Sequence, residues 1–461
     1  MSEAVREEVR PGDVLEVAVE GIAEPHEKPP GRVRLTGVVA GLTAANALNA
    51  ALTFITAPLL ARALGASGRG DLAAIAVPLA LIPIVLSLGI PRFANRIVPR
   101  GIPVNEVIGS LGVPLLIVGA LAAGAAVPAA DALSGGRETV RLYLIITFLA
   151  MPMLLVGTLL LECLVGLARW RRLIVAQFIP FGVPLVGILV LYPLHRLTVG
   201  TAAALIIVGT LLAIVPALPL LAAGGRPVFR LKLATEGVRF GLKSWLGGLA
   251  QLGNLRLDQF LMIAVVTPRE LGLYAVATNL SGASTIVAGA LTPPLMTRVA
   301  AGETDLLPRA VRIILASTVA FNVLLGLASP ILISGLLGPQ FAGAVPMTIV
   351  LLIATVPLVA AGVLSSGLQA DGAPMIPSIA ELVALVITVV GLVILLPPLG
   401  GMGAAIVSLA AYSASFVLQL VMARRRRPVP LRTYLVPTRE DLRWGADLAA
   451  GVIGRLRVAI R

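Results

Sequence analysis

The chain has 461 residues, of which 58% are apolar and 13% are charged, and its mean hydropathy is +0.98. Soluble domains are about half apolar and a quarter charged, so this composition excludes a soluble enzyme of this length. The net charge of +13 indicates either nucleic-acid binding or membrane topology, depending on where the basic residues lie.

Residues 1–34 form an acidic tail that contains prolines and has no early apolar segment. This pattern is not that of a secretory signal, and we interpret the segment as a cytoplasmic tail.

Twelve apolar stretches, each long enough to cross a membrane, follow this tail. They are 36–62, 72–97, 104–130, 141–167, 173–193, 198–222, 241–265, 273–297, 309–329, 343–366, 376–396 and 401–423. Charged or glycine-rich turns separate them, among them residues 65–71, and the apolar pattern of the ninth stretch allows it to continue past Pro330. The sequence therefore predicts an all-α polytopic membrane protein.

The basic residues fall mostly on one side of these spans. If the N-terminus is cytoplasmic, 29 of the 36 Lys and Arg residues lie on the inner side and six on the outer side, and Arg256 alone lies deep in a span. Because positive charge accumulates on the cytoplasmic side, this count predicts a plasma (inner) membrane protein with both termini in the cytoplasm. Nucleic-acid binding is not expected, since no folded domain carries the charge.

A short internal repeat divides the membrane region. Residues 65–77 and 267–279 are similar, with Gly70 matching Gly272 at an offset of 202 residues. Transporters are often built from two copies of one bundle. We therefore predict six-helix lobes over 35–223 and 224–423, arranged around a central cavity.

The basic C-terminal tail, residues 424–461, contains an amphipathic pattern beyond Thr438. Its apolar face predicts a helix lying on the inner leaflet, where anionic lipids would bind the basic residues. Docking of a cytoplasmic partner is the alternative.

Two segments resemble the polysaccharide-exporting flippases of the superfamily that also holds multidrug extruders and lipid II flippases. Residues 61–70 (ARALGASGRG) with 87–92 (SLGIPR) resemble the start of that family. Residues 257–259 (LDQ) with 270–277 (ELGLYAVA) resemble its mid-chain signature. The resemblance implies alternating access and a cargo of polyprenyl-pyrophosphate-linked glycan, moved from the inner to the outer leaflet. Twelve spans suit this branch, since lipid II flippases usually have two more. A polysaccharide polymerase and other assembly proteins are possible partners.

Polar residues inside spans are candidates for the transport pathway. In the first span Asn46 and Asn49 lie on one helical face with Thr43, Thr53 and Thr56. This stripe predicts either a cavity wall that contacts sugar hydroxyls or a set of helix–helix hydrogen bonds.

The seventh span carries Gln251, Asn254 and Asp258 on one face, with Arg256 about 200° away from Asp258 around the helix. Arg256 either faces the cavity and binds phosphate, or forms a structural ion pair while Asp258 faces the cavity.

Arg62 and Arg92 lie near the ends of the first two spans. They are topological anchors or, as the resemblance to lipid II flippases implies, part of a basic cavity for pyrophosphate.

The sequence has two histidines, one cysteine, and no P-loop or metal-spaced cluster, so neither an enzyme nor a cofactor is expected. A cation-coupled multidrug extruder is the main alternative to the flippase, although membrane acids are few (Asp258, Glu162 and Glu381). A lipid II flippase-like protein, a membrane glycosyltransferase or polymerase, and a transport-dead scaffold are the others.

Overall fold

The computed structural model describes residues 35–223, 225–285, 306–371, 373, 375–426, 429–436 and 438. Every regular element in this part of the chain is helical. The first half contains α1 (Leu35–Leu86), α2 (Ile90–Ile97), α3 (Val104–Gly124), α4 (Ala126–Ser134), α5 (Glu138–Leu149), α6 (Met151–Gly166), α7 (Trp170–Leu191), α8 (Val199–Leu212) and α9 (Pro219–Ala223). The second half contains α10 (Leu231–Val265), α11 (Pro268–Ser281), α12 (Leu306–Pro330), α13 (Ala344–Ala370), α14 (Met375–Arg426) and α15 (Arg432–Leu435). A π-helix, Ile331–Leu337, continues α12, and 3₁₀ turns occupy Val98–Arg100, Val215–Ala217 and Pro339–Phe341.

Seven of the described helices are long and apolar enough to cross a membrane, or eight if α5 and α6, bent by 52°, form one span. Helices α1 and α14 each have 52 residues, about 78 Å of helix, against a hydrocarbon core of about 30 Å. Each is kinked at a single glycine with positive φ, Gly65 (68°) and Gly400 (54°). Both helices therefore have length for two spans, and the predicted all-α membrane fold is confirmed.

The turn predicted over residues 65–71 is wrong in detail. Only Gly65 leaves helical geometry, and the chain is helical again from the next residue. Glycine adopts positive φ without steric cost, so a kink at one residue stands where a loop was expected. Arg69, predicted to lie in an outer loop, is therefore part of a helix. We call the end of the bundle that holds the Gly65 and Gly400 turns the kink end, and the basic-residue count predicts that it faces outward.

Two other boundaries differ from the predicted spans. Helix α10 begins at Leu231, about ten residues before the predicted seventh span, because its first turns pack Leu233 into the core of the first half. The ninth span continues past Pro330 as the π-helix, as the apolar pattern allowed. The tail 1–34 and the amphipathic pattern beyond Thr438 lie outside the described residues.

Three apolar clusters hold the described helices together. One is formed by residues of the first half together with Leu233, and a second by residues 310–434. The largest includes residues of both halves, such as Leu60, Leu72, Leu271 and Phe341. The two halves therefore share a core around the helices that meet at the kink end.

Replacing Gly400 by alanine is expected to lower the thermal unfolding midpoint of the purified protein. A Cβ at Gly400 would lie 1.7 Å from Oε1 of Glu270, which accepts a hydrogen bond from the Gly401 amide at 2.8 Å. The positive φ adds about 1–2 kcal/mol of strain for any residue with a Cβ. Gly362→Ala is the matched control, since no atom lies within 4 Å of that Cβ position. Equal midpoints for the two variants would contradict the prediction.

Candidate functional site: a cavity between the two halves

A cavity of about 1170 Å³ lies between the two halves. Helices α1, α6, α7 and α8 line it from the first half, and α10, α11, α13, α14 and the π-helix line it from the second. Most of the lining is apolar, and polar groups such as Thr53, Thr210, Asn279 and Thr355 are spread over both sides. A ligand bound here would contact both halves at once.

Arg256 and Asp258 both border this cavity but differ in their surroundings. Asp258 is 5% exposed, and its carboxylate accepts hydrogen bonds from the Gln259 amide at 2.6 Å and from the Tyr274 hydroxyl. It thereby ties α10 to α11. The Arg256 side chain is exposed, and within the described residues it has no hydrogen-bond or ion-pair partner. Its charge acts on Asp258 and Tyr412, but no described group is bonded to the guanidinium, which can therefore meet an anion in the cavity.

Asn254 is not part of the cavity lining. Its amide donates to the Glu381 carbonyl (3.0 Å) and Oε2 (2.7 Å) and accepts from the Thr388 hydroxyl at 3.2 Å. The Tyr412 hydroxyl donates to the Asn254 carbonyl at 3.0 Å. These bonds join α10 to both segments of α14, so the structure gives Asn254 a helix-joining position.

The structure places Arg62 and Arg92 away from the cavity lining. Arg62 lies at the kink end, where Nε donates to the Leu336 carbonyl at 2.8 Å and Nη2 donates to the Gly335 carbonyl at 3.4 Å. It thus links α1 to the π-helix across the two halves. Arg92 is exposed on α2, where its charge acts on Glu162.

Asn46, Asn49 and Gln251 lie in described helices, but their side chains are not among those that the structure describes. Thr53 follows Asn49 by four positions on the same helical face, and Thr53 lines the cavity. The cavity wall predicted for this stripe remains a prediction.

The two repeats meet in direct backbone contact at the kink end, and we call this contact the glycine seam. A Cβ built at Gly70 would lie 1.7 Å from the Pro268 carbonyl oxygen. One built at Gly272 would lie 1.9 Å from the Ala66 carbonyl oxygen and 2.9 Å from the Gly70 nitrogen. The matching glycines of the repeat are therefore the residues that let the two halves touch here.

Arg69 is a site residue that the sequence did not identify. It precedes the seam glycine Gly70, is only 8% exposed, and lines the cavity. Counting basic residues by topology placed it with the outer-side arginines. A second span that begins immediately after Gly65, rather than at residue 72, would have included Arg69.

Within the described part of the chain, no three His, Cys, Asp or Glu side chains are grouped so as to hold a metal ion.

The sequence and the fold are similar to those of known proteins. Residues 38–300 match the family model described as polysaccharide biosynthesis protein. The chain belongs to this family. Among curated proteins, no sequence matches significantly.

Solved transporters share the fold of this family member. The lipid II flippase MurJ, in an inward closed conformation, superposes with a TM-score of 0.70 at 13% identity, covering 91% of this chain and 100% of the flippase. A multidrug resistance MATE family transporter of the MOP superfamily, inward-facing, gives 0.62 at 15% identity, covering 81% and 94%. A MOP superfamily transporter from Pyrococcus furiosus gives 0.53 at 16% identity, covering 87% and 98%. The family member thus has the two-lobe fold of these transporters.

Proposed function

We propose that this protein moves an oligosaccharide linked to polyprenyl pyrophosphate from the inner to the outer leaflet by alternating access, for the assembly of a cell-surface polysaccharide. The observation that supports this cargo is the Arg256 guanidinium, which borders a cavity that both lobes line and has no hydrogen bond among the described residues. The lipid II flippase with the same fold is a relative that acts on a lipid-linked substrate.

Arg256 favours an anionic head group, because a positive charge at membrane depth is unfavourable without a partner. A lone guanidinium at membrane depth costs several kcal/mol unless an anion or water satisfies it. Guanidinium binds phosphate oxygens in bidentate geometry, which a pyrophosphate can provide. Asn279 and Thr285 offer polar groups in the same cavity for sugar hydroxyls. The polyprenyl chain is apolar and would stay in the bilayer while the head group crosses.

The orientation follows from the same proposal. The protein lies in the plasma (inner) membrane with both termini in the cytoplasm, so the kink end faces outward and the cargo enters from the opposite end. Residues 424–461 would bind anionic lipids of the inner leaflet. A polysaccharide polymerase would receive the translocated glycan.

Arg256→Gln is expected to reduce transport of a polyprenyl-pyrophosphate-linked oligosaccharide in proteoliposomes by about 10- to 100-fold, the loss of one charge-assisted interaction of about 1.5–3 kcal/mol. Arg256→Lys should retain part of the activity, because it keeps the charge but loses the bidentate geometry. Lys243→Gln, an exposed cation on the same helix outside the cavity lining, is the matched control. Wild-type transport by Arg256→Gln would refute the phosphate assignment.

A cation-coupled multidrug extruder is the second candidate, and buried Asp258 at the cavity favours it. Such a transporter would use a membrane carboxylate to bind a proton or sodium ion. Efflux of a cationic dye that depends on a proton or sodium gradient, and that Asp258→Asn abolishes, would select this function. Gradient-independent movement of the lipid-linked glycan would select the first.

A further inference from the structure

Arg69 is buried in the cavity wall, and no group among the described residues neutralises it. Its Nε is buried and has no hydrogen-bond partner, and within the described residues the side chain forms no ion pair. The nearby acids are engaged elsewhere. Asp71 is bonded to Arg137 at 2.7 Å, and the carboxylate of Glu270 accepts from the Gly401 amide at 2.8 Å.

Such an arrangement is unfavourable unless a group other than the described side chains completes it. Arginine stays protonated in proteins, so it cannot escape the cost of burial by losing its charge. A buried charge is normally paired or fully hydrogen-bonded. An anion that enters the cavity would supply the missing partner, and a planar guanidinium fits phosphate oxygens.

We propose that Arg69 is a second ligand for the phosphate groups of the cargo, binding from the first lobe while Arg256 binds from the second. This inference rests on the proposed function and extends it to a residue of the kink end. A pyrophosphate has two phosphoryl groups and therefore enough acceptor oxygens for two guanidinium groups.

Arg69 also lies where it can take part in releasing the bound anion. Its neighbour Gly70 forms the glycine seam, so a phosphate held by Arg69 lies directly behind the closed end. Separation of the lobes at the seam would expose the same guanidinium to water. Hydration then competes with the phosphate, and screening by salt weakens the attraction further. The arginine therefore holds the anion while the seam is closed and loosens its hold when the seam opens.

The test measures binding apart from transport, with farnesyl pyrophosphate, inorganic pyrophosphate and uncharged farnesol as probes for the purified full-length protein. Arg69→Gln is expected to weaken farnesyl pyrophosphate binding by about tenfold or more and to leave farnesol binding unchanged. Arg69→Lys should lie between Arg69→Gln and wild type. Arg269→Gln is the matched control, an exposed arginine of the kink end that does not line the cavity, and its effect should be under about twofold. Parallel weakening of inorganic pyrophosphate binding would show that phosphate alone is recognised. An effect confined to farnesyl pyrophosphate would show that the site needs the lipid-linked form.

Stability of the ligand-free protein provides the second readout. Because Arg69 is unpaired, Arg69→Gln is expected to unfold at the same temperature as wild type or higher without ligand, and to lose the rise in midpoint that farnesyl pyrophosphate gives wild type. A lower ligand-free midpoint, or unchanged binding, would overturn the inference.

Failure of this inference can be distinguished from failure of the proposed function. If Arg256→Gln abolishes transport while Arg69→Gln binds normally, only the Arg69 assignment fails. If Arg69→Gln loses binding while the wild type moves no lipid-linked glycan, the anion site stands and the flippase proposal fails.

Discussion

Gly272→Ala and Gly70→Ala are each expected to hold the two lobes apart at the kink end and to reduce transport at least tenfold. A Cβ at Gly70 would meet the Pro268 carbonyl oxygen at 1.7 Å, and one at Gly272 would meet the Ala66 carbonyl oxygen at 1.9 Å. Both contacts are with backbone, which cannot rotate away as a flexible side chain can. The helices must therefore separate by at least about 1 Å before the distance reaches 3.0 Å, below which real Cβ contacts are essentially never found. The proposed alternating access requires both ends to close in turn, so a seam that cannot close would stop the proposed cycle.

Spin labels on both sides of the seam would measure this change. Leu194 and Leu399 are exposed positions in the first and second lobes, near the kink end, and Cys163→Ala removes the sole cysteine of the chain. The seam variants should shift the distance between labels at these two positions to longer values than wild type. Gly362→Ala, a helical glycine with open space around it, should give the wild-type distance. A wild-type distance with full transport in Gly272→Ala would show that the seam tolerates a methyl group.

Asn254→Leu is expected to destabilise the protein by about 2–5 kcal/mol, because three side-chain hydrogen bonds are lost together and each is worth about 0.6–1.7 kcal/mol in a membrane protein. The Glu381 carboxylate would keep only the hydroxyl of Ser415, at 3.2 Å, among its described partners. Thr388 would lose its acceptor on α10. An acid left short of donors in this setting costs more than a neutral group would.

Unfolding of the purified protein in detergent would check this prediction, with Ser317→Ala as the control. Ser317 bonds only within its own helix, to the Ile314 carbonyl at 3.1 Å, so its loss should change stability by less than about 0.5 kcal/mol. Equal stabilities for the two variants would mean that the Asn254 bonds contribute nothing to the joining of α10 and α14.

Hydropathy and the repeat predicted the architecture because both are properties of a one-dimensional pattern. The spans follow from apolar length, and the pairing of Gly70 with Gly272 followed from similarity at a fixed offset. The structure adds that these two residues touch, which no alignment of one half with the other can reveal.

The site was harder to predict, because the sequence does not say which side of a helix faces a partner. Asn254 and Asp258 share a helical face, yet the Asn254 side chain is hydrogen-bonded to α14 while Asp258 borders the cavity. Arg69 was missed because the sharp turn at Gly65 removes the loop to which its charge was assigned. Arg62 was expected at a span end and lies there, where it bonds the π-helix.

The link between Arg62 and the π-helix bears on the energy of opening. The Gly335 and Leu336 carbonyls belong to the last turn of that helix, where carbonyls have no partner further along the helix. On opening, the guanidinium would exchange these two acceptors for water, a net cost of about 1–3 kcal/mol. A cargo that binds the closed and open forms with different affinities must supply about 5.5 kcal/mol to turn a 1:99 equilibrium into 99:1. The cost of breaking the two Arg62 hydrogen bonds is below that figure. These bonds therefore favour the closed form at rest, and the binding of a cargo can still reverse the equilibrium.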